Sequence, residues 1–120
     1  MAAADHLSPS QFGTPRHDVV NGLHRVALFG DDPESDEAYG DLRPKELSYI
    51  EYRPQDEVAH VTFRETRDHL QGQGMQQHLQ DALHARHPSV VSDASEMSAN
   101  AEGFHHKYLQ AHPAAKWSTT

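Results

Sequence analysis

Two runs of alternating residues, separated by the polar turn PQDE, constrain the fold of this chain more than any other feature. The first run, ELSYIEYR at 46–53, is rich in β-forming residues. In the second, VAHVTFRET at 58–66, Ala59, Val61 and Phe63 alternate with polar residues, which is the period of a half-buried strand. Two strands joined by so short a turn predict an antiparallel hairpin.

A glycine-rich turn and a helical pattern follow the predicted hairpin. The stretch QGQGMQQHLQDALHARH, residues 71–87, has two glycines separated by one residue. Apolar residues from Met75 to Leu83 recur at the spacing of one helix face, and Pro88 ends the pattern. The stretch therefore predicts an amphipathic helix that begins at the glycines.

The other periodic segments are shorter. LHRVALF at 23–29 alternates as a strand, and SVVSD at 89–93 predicts another. A last helical stripe includes Phe104 and Tyr108. The segment GDDPESDEAYGD at 30–41 is acidic and rich in turn residues. It therefore predicts a solvated loop, because burial of its side chains would not offset the entropy lost on ordering.

The order of these elements predicts an α+β fold with a mixed, mainly antiparallel sheet covered by helices. The length of 120 residues suits one small domain, which we place at 19–112. Residues 1–18 mix small, polar and proline residues without periodicity and predict a flexible arm. Residues 113–120 are predicted to form a flexible tail.

Composition excludes several classes of function. The net charge is −8 and no basic run occurs, which argues against nucleic-acid binding and favours a cationic partner. The absence of cysteine excludes disulfides, thiolate metal sites and cysteine nucleophiles. The sequence has neither an apolar run long enough to span a membrane nor a secretory signal, so a cytoplasmic protein without membrane association is expected.

The glycine turn has two physical interpretations. The first N–H groups of a helix have no intrahelical partner and carry partial positive charge, so a phosphate group can bind them where glycines permit close approach. Alternatively, Gly72 and Gly74 merely allow a tight turn between strand and helix. No P-loop lysine follows the glycines, and no G-x-S-x-G turn suggests a hydrolase.

The run Gln71-Gly72-Gln73-Gly74-Met75-Gln76, after a hairpin and before an amphipathic helix, resembles the acetyl-CoA motif of the GNAT acetyltransferase superfamily. The resemblance covers roughly residues 45–110. Gln71 and Gly74 match the motif, whereas Gln76 replaces its final small residue. The acidic segment stands where the family has a pair of helices, which suggests a minimal or degenerate member.

The resemblance implies a binding site for acetyl-CoA as co-substrate. Backbone N–H groups from Gly72 to Gln76 would hold the pyrophosphate, and the preceding strand end would pair with the pantetheine arm. The implied cofactor-binding residues are Phe63, Arg64, Glu65, Thr66, Gln71, Gly72, Gln73, Gly74, Met75 and Gln76. The resemblance also implies a catalytic Tyr108 as general acid, or His105 in another alignment.

Acetyl transfer needs a base for the amine proton, and the strand entering the glycine turn offers two candidates. Glu65 lies near the end of this strand, and strand alternation places His60 on the same face as Arg64. The structural alternatives are an exposed or salt-bridged Glu65, a surface His60, and a Tyr108 packed under the sheet.

The sequence thus predicts an N-acetyltransferase that moves an acetyl group from acetyl-CoA to an amine of a small molecule or protein, with a cationic acceptor. The alternative is a non-catalytic interaction domain on the same frame. No metal site is expected. Although His78, Asp81 and His84 follow at three-residue steps, no HExxH pair occurs among the 11 histidines.

Overall fold

The computed structural model is an α+β fold with one six-stranded mixed sheet and two helices. It describes residues 13–32, 34, 37–38, 40–92 and 99–119. The strands are β1 (Arg16–Val20), β2 (Leu23–Phe29), β3 (Glu46–Gln55), β4 (Val58–Thr66), β5 (Ser89–Ser92) and β6 (Lys116–Thr119). The helices are α1 (Met75–Arg86) and α2 (Ala99–Ala111), with a short 3-10 turn at Asp68–Leu70.

The strands lie in the sheet in chain order, from β1 to β6. Strands β1 to β4 are antiparallel, while β5 pairs in parallel with β4 and with β6. The predicted hairpin, the strand at 23–29 and the helix after the glycines are confirmed. The hairpin turn is shorter than expected because β3 continues to Gln55, and Asp56 turns the chain with φ 56°.

The two edge strands were not predicted. β1 begins within the segment expected to be an arm, and β6 lies within the expected tail. Both are short, with mostly polar or half-exposed residues, so their sequences show little of the apolar alternation that marks a strand. Residues 1–12 lie outside the described residues.

Both helices pack on one face of the sheet, which we call the helix face. Its buried apolar cluster comprises Val26, Leu28, Leu47, Ile50, Tyr52, Ala59, Val61, Leu70, Met75, Leu79, Leu83, Val90, Tyr108 and Trp117. Met75, Leu79 and Leu83 belong to the predicted helix stripe, which is therefore confirmed. Each fully buried side chain of this size contributes about 1.5 to 3 kcal/mol. None of the helices in the described ranges is long and apolar enough to cross a membrane.

The opposite side of the sheet, the back face, carries Ala27, Tyr49, Phe63 and Glu65. It combines a small apolar cluster with charge pairs. The guanidinium of Arg25 lies 3.8 Å from the Tyr49 ring centroid and donates a hydrogen bond of 2.6 Å to a carboxylate of β3. In the described residues no helix covers this face.

β4 contains a β-bulge at Thr62. Glu51 of β3 pairs with Phe63, and Tyr52 pairs with Val61, so Thr62 has no opposite residue in the register. A bulge adds one residue to one strand and therefore inverts the alternation of side chains beyond it.

This inversion corrects the predicted faces of β4. Phe63 was expected to share a face with Val61, and Arg64 with His60. Instead Phe63 is 41% exposed and stacks on Tyr49 of the back face. Arg64 turns to the helix face, where it donates hydrogen bonds to α1.

The acidic segment 30–41 holds a buried carboxylate, which corrects the expectation of a wholly solvated loop. Asp32 accepts hydrogen bonds from Arg67 Nη1 at 2.8 Å and from the Glu34 N–H at 2.9 Å, and His69 Nε2 lies 2.7 Å away. Burial opposes its ionisation, but these partners outweigh burial and lower the pKa of Asp32 to about 2. We call Asp32, Arg67 and His69 the Asp32 cluster, because together they fix the acidic segment to the chain after β4.

Candidate functional site

The glycine turn, Gln71–Gly74, connects the 3-10 turn after β4 to the start of α1. Gly72 and Gly74 adopt φ of 82° and 88°, a left-handed conformation that L side chains rarely adopt. A Cβ atom at either position would meet no heavy atom within 4 Å. The glycines are therefore required by the backbone conformation and leave open space above the turn.

The N-terminus of α1 faces this open space. Gly74 is its N-cap, no side chain caps the helix, and the first turn contains no acidic residue. The first described hydrogen bond within the helix runs from His78 N to Gly74 O, at 3.0 Å. The preceding N–H groups thus have no intrahelical partner and retain the partial positive charge of a helix N-terminus.

The side chain of Gln76 points to the sheet. Its Nε2 donates to Tyr49 O at 3.0 Å and to Ser48 Oγ at 2.9 Å, while its Oε1 accepts from Arg64 at 3.3 Å. Gln76 therefore pins α1 to β3 and β4. The residue that departs from the family motif is directed to the sheet by its own hydrogen bonds.

β4 continues to Thr66, beyond the part of it whose pairing with β5 is described. Among the described residues, β5 pairs with β4 at Val58–Val61 only. The strand continues through the Thr62 bulge to Thr66, and residues 93–98, which follow β5, lie outside the described part of the chain. The main chain at 63–66 is the stretch where the resemblance places the pantetheine arm.

Arg64 lies below this stretch on the helix face. Its Nη1 donates to the side-chain oxygens of Gln76 and Gln80, and its guanidinium lies 4.8 Å from the Trp117 ring centroid. Its Nη2 is buried and has no hydrogen-bond partner in the described residues. Burial lowers the pKa of Arg64 to about 10.

Glu65 lies on the back face, at the end of β4. Its Oε1 accepts a hydrogen bond of 3.3 Å from the Tyr49 hydroxyl, and its Oε2 is 3.1 Å from the place of a Cβ at Gly40. Burial raises the pKa of Glu65, and the nearby Asp41 and Asp68 carboxylates add to this effect. A carboxyl group in this environment takes up a proton more readily than an exposed one.

Tyr108 lies in the helix-face core, where its ring contacts Trp117, over which Arg64 stacks. Its hydroxyl donates a 2.6 Å hydrogen bond to Asp81, and its ring stacks on His84 and His112. Burial, together with Asp81, raises the pKa of Tyr108. A cavity of about 520 Å³ between the C-terminal ends of α1 and α2 is lined by these groups.

His105, the alternative candidate, lies beside β6. Its Nε2 is 2.9 Å from Trp117 O, and its ring meets the Trp117 ring edge-on at 4.4 Å between centroids.

The structure thus brings the glycine turn, Gln76 and Arg64 together on the helix face and places Glu65 on the back face of β4. The Tyr108 hydroxyl is directed to Asp81. Sequence reasoning missed Ser48 and Gln80. Gln80 is fully buried although its position on the predicted helix is polar. The only sequence signal for Gln80 was its position as a polar residue beside the apolar stripe of the predicted helix.

Two further findings bear on the kind of site. In the part of the chain that the structure describes, no group of three or more histidine and acidic side chains could hold a metal ion. Comparisons of the chain with protein families, with curated proteins and with solved structures found no match.

Proposed function

We propose that this chain is an N-acetyltransferase of GNAT-like architecture that transfers an acetyl group from acetyl-CoA to a cationic amine. One observation carries the proposal: beyond Val61, the last residue whose pairing with β5 is described, β4 leads past a bulge to an open glycine turn on a helix N-terminus without a side-chain cap. A pyrophosphate on the N–H groups of the turn and helix would leave the pantetheine arm beside residues 63–66.

Glu65 is the proposed base. Glu65 first takes a proton from the ammonium group of the acceptor. The neutral amine nitrogen then attacks the thioester carbonyl carbon, the C–S bond breaks, and the second proton lost by the nitrogen passes to the released thiolate. Burial raises the pKa of Glu65, which makes the carboxylate a stronger base than an exposed one, and the Tyr49 hydroxyl orients it. Tyr108 is omitted from this mechanism because its hydroxyl already donates to Asp81.

The proposed acceptor would approach from the back face. Glu65 is close to the carboxylates of Asp41 and Asp68, which raise its pKa. Phe63 offers an exposed aromatic ring on the same face. Carboxylates beside an aromatic ring attract ammonium groups, so a polyamine or a lysine side chain fits this surface better than an anionic acceptor.

Acetyl-CoA titration followed by thermal melting tests the cofactor site. Saturating ligand should raise the melting temperature, by linkage. Gly74→Glu should abolish the rise, because a carboxylate would then occupy the phosphate position. Gly22→Glu is the matched control: Gly22 also has positive φ, with no atom within 4 Å of a Cβ, but lies in the β1–β2 turn.

Thiol release from acetyl-CoA, measured with a panel of polyamines and lysine peptides, tests turnover. Glu65→Gln should slow the reaction by about 100-fold or more at unchanged acetyl-CoA affinity, the usual contribution of a general base. Unchanged turnover would remove Glu65 from the mechanism. If saturating acetyl-CoA shifts neither melting temperature nor any other property of the protein, the cofactor site is refuted, and the alternative of a non-catalytic interaction domain is favoured.

A further inference from the structure

The cavity between the C-terminal ends of α1 and α2, which we call the helix-end cavity, has a volume of about 520 Å³, within the range of small-molecule sites. Every residue that lines it belongs to the described part of the chain. Alanine and proline side chains at 85, 88 and 113–115 form an apolar lining, to which Asp81, His84, Tyr108 and His112 add polar groups. A ligand that matches this lining has an apolar body and one polar group.

Asp81 supplies the negative charge of the lining. Its side chain is 45% exposed, and its Oδ1 accepts the hydrogen bond of 2.6 Å from the Tyr108 hydroxyl. Within the described ranges no lysine or arginine forms an ion pair with Asp81. Burial lowers the pKa of His84, so this neighbouring imidazole is neutral near pH 7 and does not compensate the carboxylate.

His112 supplies a second hydrogen-bond acceptor beside Asp81. Its Nδ1 lies 3.1 Å from Tyr108 O, and because a carbonyl oxygen can only accept, Nδ1 carries the proton. Nε2 of the neutral ring therefore has a free lone pair. It lies 3.7 Å from Asp81 Oδ1, which is too long for a direct hydrogen bond. Two acceptors this close together suit one group that carries several N–H donors.

The two helices also favour a cation in the helix-end cavity. The last carbonyl groups of a helix have no intrahelical partner and give its C-terminal end a partial negative charge. α1 ends at Arg86 and α2 at Ala111, and residues of both ends line the cavity. Apart from the two histidines, no basic side chain belongs to this lining. The carboxylate and the helix ends therefore act on a ligand with the same sign.

We propose that the helix-end cavity binds a small organic amine, whose ammonium group donates hydrogen bonds to the Asp81 carboxylate and to His112 Nε2 while its apolar body lies against the alanines and prolines. The inference does not rest on the proposed transferase function. The cavity lies on the helix face, whereas Glu65 and the proposed acceptor surface lie on the back face.

NMR titration of the ¹⁵N-labelled chain with 3-phenylpropylamine tests the proposal, with no CoA compound present. At about pH 8 imidazoles are ordinarily neutral and primary amines charged. Amide signals at 84–87 and 108–115 should shift. The amine should bind about tenfold or more tightly than 3-phenylpropanol, because a charge-assisted hydrogen bond replaces a neutral one. The trimethylated amine, which keeps the charge but has no N–H donor, should bind more weakly than the primary amine.

Two variants test the two parts of the site. Asp81→Asn should remove the preference for the amine over the alcohol. Ala85→Trp should weaken both compounds alike, because a large side chain would fill the cavity. Both positions are exposed, so the fold should persist. Asp56→Asn is the matched control: it removes the same charge from an exposed turn whose left-handed backbone asparagine tolerates, and it should leave both affinities unchanged.

The outcomes are distinct from those of the transferase assays. Absence of binding, equal affinities for amine and alcohol, or a preference unchanged in Asp81→Asn would each refute the amine site. Shifts confined to the surroundings of Phe63 and Glu65 would place the amine on the proposed acceptor surface and would equally refute the cavity. Selective binding in the cavity would support the inference even if acetyl-CoA failed to bind the chain.

Discussion

Arg64 and Arg67 stand three residues apart, Arg67 fully buried and Arg64 partly buried, yet their surroundings are opposite. Arg67 donates to the Asp32 carboxylate at 2.8 Å and to two backbone carbonyl groups. Arg64 meets only neutral acceptors and aromatic rings in the described chain. The comparison separates a charge that the fold itself neutralises from one whose described partners are all neutral.

The largest expected effect comes from the same substitution made at both positions. Arg67→Met leaves Asp32 buried without its main partner and should cost about 3 to 5 kcal/mol of unfolding free energy. Arg64→Met removes an uncompensated charge, so its cost should be about 1 kcal/mol or less. Urea denaturation measures both values. Equal losses of unfolding free energy would show that Arg64 stabilises the fold as much as Arg67 does, which would contradict the contrast drawn between the two.

Acid should weaken the Asp32 cluster. The pKa of Asp32 lies near 2 in the folded protein, below its ordinary value of 3.8, so its stabilising contribution is complete above about pH 4. That contribution is lost as the pH falls toward 2, because the unfolded chain takes up the proton more readily. Urea midpoints between pH 5 and pH 2 should therefore fall more steeply for the wild type than for Asp32→Asn. Parallel curves would contradict the depressed pKa.

Tyr108→Phe tests the stability contribution of a third polar group, the Tyr108 hydroxyl. Loss of the hydroxyl removes one hydrogen bond to the half-exposed Asp81 and should cost about 1 kcal/mol. Because Tyr108 lies outside the proposed site, thiol release from acyl-CoA should be unchanged within error. A large fall in turnover without a change in stability would instead return Tyr108 to the mechanism as a general acid.

The smallest effect is expected at Asp31, the neighbour of Asp32. Asp31 pairs with Lys45 at 2.6 Å, but its side chain is 89% exposed. Solvent screens such a pair, so Asp31→Asn should change the unfolding free energy by about 0 to 1 kcal/mol. A loss as large as that of Asp32→Asn would mean that burial does not distinguish the two carboxylates.

The elements that carry a strong period could be predicted from the sequence. The β3–β4 hairpin and α1 each bury the residues that alternation or helical spacing selected, such as Val61 and Leu79. The edge strands β1 and β6 could not, because half-exposed strands lack that apolar signal. Asp32 was also hidden, since its partners Arg67 and His69 lie 35 and 37 residues further along the chain.

The candidate site likewise has one part that the sequence predicted and one part that it did not. The glycine turn and its helix are local features, and the sequence located them. The position of Arg64 depends on Thr62, whose bulge leaves no mark in the composition of β4, so regular alternation placed Arg64 and Phe63 on the wrong faces. The direction of the Gln76 side chain likewise depends on partners distant in the chain, since it donates to Ser48 Oγ and Tyr49 O.

The Thr62 bulge also has an evolutionary consequence. Deletion of the Thr62 codon would leave Val61 opposite Tyr52 and Phe63 opposite Glu51, so the strand would become regular while every other side chain kept its present face. Gain or loss of one residue at this position is therefore absorbed by the bulge, and related chains of either length would present the same two surfaces.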